Sequence, residues 1–184
     1  MKVTSSLIDK IQNKINLHYQ LYDFKIDNIL WENILHRSFK ELGYNSHWDT
    51  GSHKQGTDIV CNETKISCKG GSIHGKRVPK LKISSHRTTS YKTLTEKIDY
   101  ISRPHEDVIW SLVQSSEKTY CLHLIEPPNF KSYNWEETTG GWRASCPNNI
   151  HKARIQRSMS DQLWMEFDYN YLLQKTETYN FVIP

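Results

Sequence analysis

Within the stretch GTDIVCNETKISCKGG, residues 56–71, three side chains have the types and the spacing to do phosphodiester chemistry: Asp58, Ser67 and Lys69. The stretch reads as two short strands around a two-residue turn at Asn62 and Glu63. With that turn, Cys61 faces Thr64, Val60 faces Lys65 and Asp58 faces Ser67. Directly opposed side chains share one face of an antiparallel pair, with Cβ atoms roughly 5 Å apart. Lys69 lies two residues beyond Ser67 and points to that same face, whereas Cys68 points to the other, as suits a small buried side chain. Asp58, Ser67 and Lys69 are therefore expected to converge. Cleaving a phosphodiester calls for a metal ion that neutralises charge on the phosphate and acidifies a water. Mg²⁺ takes hard oxygen ligands and keeps several waters, so one or two carboxylates suffice. A lysine beside it can hold the water and stabilise the developing charge. Ser67 stands where a second carboxylate is expected, and the nearby Glu63 sits in the turn. The plain alternative is a hairpin in which Asp58 ends a strand and Lys69 is a surface cation.

The elements that must position these residues follow from periodicity. In residues 24–44, Ile26, Ile29, Leu30, Ile34, Leu35 and Leu42 recur at helical spacing, with Gly43 as a C-terminal stop. A polar, glycine-bearing loop or irregular strand precedes the hairpin, and a basic connection with Pro79 follows it. Tyr91, Leu94, Ile98 and Ile101 form a second helical stripe. DVIWSLVQ and TYCLHLIEP, separated by SSEK, predict a buried strand hairpin. Residues 129–174 mix turn residues with short aromatic strands and one closing helix. The order predicts an α/β (α+β) domain, a mixed central β-sheet flanked by helices.

A chain of 184 residues is expected to be one domain with a real core. It has no run of 18 apolar residues, so no transmembrane helix is expected, and its N-terminus lacks the unbroken apolar stretch of a signal peptide. Four dispersed cysteines without a CxxC pair argue against zinc and for reduced thiols in a cytoplasmic setting. The net charge of +4 favours anionic partners mildly. Its distribution says more: Lys69, Lys76, Arg77, Lys80, Lys82, Arg87, Lys92 and Lys97 face a single acid, Glu96. A second basic run, HKARIQR, covers residues 151–157.

Together these residues resemble the PD-(D/E)xK superfamily and, within it, the type II restriction endonucleases. Thr57-Asp58 sits where the family has Pro-Asp, and Ser67-Cys68-Lys69 where it has Asp/Glu-x-Lys. The helix WENILHRSFKELGY places Glu32 in the position of the family's leading-helix glutamate. One branch of the family has a similar Ser-x-Lys and takes its missing carboxylate from the following helix. Here SSHRTTSYKTLTE ends in Glu96, further from Lys69 than in that branch, with His86 in place of the branch's aspartate. The resemblance implies a restriction-endonuclease-like core over residues 26–125, with specificity and dimer contacts in 126–184. It implies Asp58 and Glu96 as Mg²⁺ ligands, Lys69 positioning the water, Ser67 in the vacated acid position and the backbone carbonyl of Cys68 as a further ligand. Glu96 also completes a capping box with Thr93, which is its other reading, and Glu32 is otherwise a surface glutamate.

Recognition of DNA is expected from Arg87 with Ser85 and Thr88, since arginine against guanine is the commonest specific base contact. Lys76, Arg77, Lys80 and Lys82 are expected at phosphates, with Arg143, Lys152, Arg154 and Arg157 as a second basic group. The expected activity is Mg²⁺-dependent, sequence-specific cleavage of double-stranded DNA to 5′-phosphate and 3′-hydroxyl ends, by a homodimer on a palindrome and without a nucleotide cofactor. A repair or structure-specific nuclease of the same fold, and a DNA-binding module that has lost catalysis, are the alternatives.

Overall fold

The computed structural model describes residues 2–49, 56–75 and 77–184. In chain order the elements are α1 (Ser5–Leu21), α2 (Asn28–Glu41), β1 (Ser46–Trp48), β2 (Ile59–Cys61), β3 (Thr64–Gly70), β4 (Ser72–His74), β5 (Lys80–Arg87) and α3 (Leu94–Ile101). They continue with β6 (Val108–Ser116), β7 (Thr119–Ile125), β8 (Asn134–Thr138), β9 (Gly141–Ser145), β10 (His151–Gln156), β11 (Gln162–Asp168), α4 (Tyr169–Lys175) and β12 (Glu177–Val182). The chain is α+β and forms two compact units, each with a six-stranded sheet. Units and sequence order do not coincide. The first unit gathers Met1–Gly70, Glu106–Glu126 and Glu177–Pro184, and the second Gly71–His105 and Pro127–Thr176.

The first unit's sheet runs β1-β2-β3-β6-β7-β12. Its one parallel pair, β3 with β6, requires a long crossover, and the chain makes that crossover through the whole 71–105 stretch of the second unit. Asp107 pins the returning strand: its N–H donates to Lys65 O, and its Oδ2 accepts from Lys65 N at 2.8 Å. One face of the sheet packs on α1 and α2 around Leu7, Ile11, Ile15, Trp31, Leu35 and Phe39. The sequence pattern anticipated α2, but the register of its buried side differs. Trp31, Ile34, Leu35, Ser38 and Phe39 face the core, and Ile29 is exposed. Trp31 fixes the helix to the sheet by donating its indole N–H to Trp110 O. Gly43 ends the helix at φ +80°, as expected. Two elements lay outside the expectations: α1, whose buried Leu7, Ile11, Ile15 and His18 recur every three or four residues, and the closing strand β12.

The second unit's sheet runs β4-β5-β11-β10-β9-β8 and is antiparallel throughout. The basic connection after the hairpin is thus largely a strand: Leu81 and Ile83 are buried while Lys80, Lys82 and Ser84 alternate with them. On α3 the buried face is Lys97, Tyr100 and Ile101, not the expected stripe through Leu94 and Ile98. Among the described residues no helix is long and apolar enough to cross a membrane.

Candidate active site

The turn at Asn62 and Glu63 forms as expected, with both residues at positive φ (45° and 71°), the conformation that matches the twist of a two-residue hairpin. The side chain of Asn62 accepts from Asn45 N, so the turn is also tied to the chain entering β1. Ile59, Val60 and Cys61 pair with Ile66, Lys65 and Thr64, the predicted register. Extending it brings Asp58 beside Ser67. One carboxylate oxygen, Asp58 Oδ2, accepts three donors: Cys68 N at 2.6 Å, Ser67 Oγ at 3.2 Å and Lys69 Nζ at 3.2 Å. The convergence expected from strand alternation is present.

Those three bonds define what each residue contributes. Cys68 gives its peptide N–H and sends its thiol into the core, where burial raises the thiol's pKa well above its ordinary range. Ser67 is buried and acts as a donor. A carboxylate at that position would face Asp58 with like charge, whereas the hydroxyl holds it. Lys69 forms an ion pair with Asp58 in which both side chains are about one-fifth exposed, at 18% and 22%. With Oδ2 engaged, Asp58 Oδ1 has no hydrogen bond among the described residues.

A second candidate carboxylate in this unit is Glu32 on α2. The indole N–H of Trp48 on β1 donates to Glu32 Oε2 at 3.0 Å and sets its orientation. Burial raises the pKa of Glu32, and the charges of Asp58 and Asp27 push the same way, against the Trp48 bond and Lys69. Glu32 therefore shares an electrostatic field with Asp58 and Lys69. The start of α2 is fixed to the end of β3 as well. Asp27 caps the helix through Leu30 N, and Asn28 Oδ1 accepts from Gly70 N at 2.7 Å, one residue after Lys69. Neither Trp48 nor Asn28 was anticipated; both matter only through contacts made across the chain.

Two ionisable oxygens beside one lysine suit a hard divalent cation that retains water. Among the described residues no group of three or more His, Cys, Asp or Glu is arranged around a metal position.

Glu96 belongs to the second unit, and its structure is that of the capping box. Glu96 Oε2 accepts from Lys92 N and Thr93 N, each at 2.9 Å, and Glu96 N donates to Thr93 Oγ1 at 3.2 Å. These bonds hold its pKa below the ordinary glutamate range. The carboxylate is occupied in starting α3.

The expected DNA contacts all lie in the second unit and divide by environment. Arg87 is exposed, its Nε donating to Gln162 Oε1 at 3.2 Å, and Ser85 is half-buried. Thr88 is a correction: it is fully buried, and its N–H and hydroxyl both donate to Asp161 O, so it has no free edge to offer a base. Arg77 is exposed, and Lys76 lies outside the described residues. Lys82 stands over the Trp164 ring at 4.6 Å, while Arg157 stacks on Trp142 at 4.5 Å and pairs with Glu137. Arg143 pairs with Glu136 at 2.6 Å.

The residue that sequence reading missed is Lys97. It is 1% exposed, and its Nζ donates to Thr88 O at 2.8 Å, to Tyr91 O and to Asp161 Oδ2 at 2.8 Å. This buried cation clamps the 88–91 segment, directly after Arg87, to the β10–β11 turn, where Ser160 and Asp161 sit at positive φ. In sequence it is one more lysine in a basic run.

The chain matches no protein-family model, no curated protein and no solved structure.

Proposed function

We propose that the first unit is a Mg²⁺-dependent phosphodiesterase site and that the protein is a double-stranded DNA endonuclease. The observation that carries the reading is the Asp58–Lys69 pair, locked by Ser67 Oγ and Cys68 N onto a single carboxylate oxygen at the end of a short hairpin. Asp58 and Glu32, with the Cys68 carbonyl as a third oxygen, would hold a hard cation, and that cation would supply charge neutralisation at the phosphate and a more acidic water. Lys69 orients the attacking water and offsets negative charge on the phosphate oxygens. Ser67 helps fix the Asp58 carboxylate through Oδ2, which leaves Oδ1 as the oxygen for the cation. Glu32, held by Trp48, is the second carboxylate in this reading, and Glu96 is a helix cap.

The family resemblance extends the proposal to a type II restriction endonuclease, a cytoplasmic homodimer cutting a palindromic site to 5′-phosphate and 3′-hydroxyl ends. Ser67 favours one competing reading, a DNA-binding module without catalysis. Incubating the purified protein with a long DNA duplex of known sequence and Mg²⁺, then sequencing the ends, separates them. The expected result is discrete 5′-phosphate ends at one short sequence. Binding without cleavage supports the module instead.

A further inference from the structure

The outward face of the second unit's sheet carries a depression of about 410 Å³. Its charged lining is Lys80, Arg143, Lys152 and Arg154 against Glu136 and Glu166. Strand register places these residues. Arg143 on β9 lies directly opposite Arg154 on β10, whose other neighbour is Trp164 on β11. One row along, Lys152 faces Glu166, and Glu166 faces Lys82. Like charges directly opposed across strands destabilise a sheet. Glu136 offsets Arg143, but among the described residues the side chains of Arg154, Lys80 and Lys152 close no hydrogen bond or ion pair. Glu166 lies between two lysines and forms an ion pair with neither. An exposed arginine pair facing each other, with the unpaired Lys152 in the adjoining row, is a poor arrangement for the free protein. It becomes favourable when anionic oxygens lie between the cations.

We infer that this sheet face is a phosphate-backbone track for duplex DNA, with Arg143 and Arg154 as its central contacts and Lys80 and Lys152 flanking them. Guanidinium forks match phosphate oxygens bidentately, and weakly hydrated arginine gives up its water readily. The contacts carry charge but offer little base discrimination, so this face sets affinity and register rather than sequence. The choice of duplex DNA as the polyanion rests on the endonuclease reading; the existence of an anion track rests on the sheet alone.

The test measures binding without cleavage, so the two readings fail separately. Fluorescence anisotropy with a labelled mixed-sequence duplex in EDTA compares the wild-type protein, the Arg143→Ala/Arg154→Ala double variant, and Lys10→Ala, which alters a cation on α1 of the first unit. Thermal melts confirm that each variant is folded. The double variant is expected to weaken binding roughly tenfold or more near 0.1 M salt, and to reduce the slope of log K against log salt by about 1.8, two phosphates' worth. Lys10→Ala is expected to bind as wild type. The inference is overturned if the double variant keeps both affinity and slope. It is also overturned if the face binds an acidic polypeptide or duplex RNA but not duplex DNA.

Discussion

The two units hold their charges in opposite ways. In the first, Asp58, Ser67, Cys68 and Lys69 are knotted onto one oxygen atom, and the partly buried Glu32 feels the charges of Asp58 and Lys69. In the second, Arg143, Arg154, Lys80 and Lys152 spread over an open sheet face, with only Arg143 in an ion pair. Tight positioning of a few groups is what bond cleavage requires, because misplacement by an ångström is costly. A spread of exposed cations is what a long polyanion requires, because each contact is small and screened. The division predicts that changes in the first unit alter the rate more than the affinity, and that changes on the second unit's open face do the reverse.

Lys69→Met offers the sharpest break. It keeps the stem and removes the charge, and should lower the cleavage rate by about 10²–10⁴-fold with DNA affinity nearly unchanged. A parallel loss of affinity would erase the division. Next in size is Lys97→Met, which leaves Asp161 and two carbonyls without their cation. Breaking such a buried pair costs about 3 kcal/mol, or a fall in Tm of roughly 6–12 °C. A melt within 2 °C of wild type, an arbitrary but about half-kcal/mol threshold, would show the clamp to be dispensable. Gly70→Ala acts on the first unit at smaller scale. Its new methyl would collide with Asn28 Oδ1, the acceptor of Gly70 N. Stability should fall by about 1 kcal/mol, with a larger proportional loss of cleavage as the start of α2 and Glu32 shift.

The smallest effects come from the two glutamates, whose pKa values move in opposite directions. Glu32 is raised by burial, so its contribution to stability is present below the ordinary glutamate pKa and is lost as pH rises through the raised value. Glu96 is lowered by its bonds to Thr93 and Lys92, so its contribution is present above the ordinary value and is lost as pH falls through the lowered one. Glu32→Gln should therefore raise Tm at neutral pH, and should remove the Mg²⁺-induced rise in Tm that the proposed site predicts for the wild type. Glu96→Gln should leave cleavage intact, since glutamine also serves in a capping box, and should flatten the acid limb of the Tm–pH curve. Loss of cleavage in Glu96→Gln alone would return the metal to Glu96.

The hairpin was legible because a two-residue turn fixes register and strand alternation then fixes every face. That is why Asp58, Ser67 and Lys69 could be paired before their contacts were seen. Helix α2 and the β6–β7 hairpin were legible from periodicity. The division into units was not, since β3 and β6 pair across a long crossover and β12 returns from the far end of the chain. Strand β5 was hidden by its composition: KLKIS alternates, but lysine and proline around it read as a connection. Lys97 was hidden for a related reason, because nothing local marks which lysine of a basic run meets an aspartate 64 residues later.

The central claim, that Asp58 anchors a Mg²⁺-dependent phosphodiesterase site, is tested most directly by one gel. Supercoiled plasmid is incubated in Mg²⁺ with wild-type protein and with Asp58→Ala side by side, and binding of both proteins to the same DNA is measured in EDTA. The account predicts linear or discretely fragmented plasmid with the wild type, intact plasmid with Asp58→Ala, and comparable binding by the two. Equal cleavage by both proteins would contradict it.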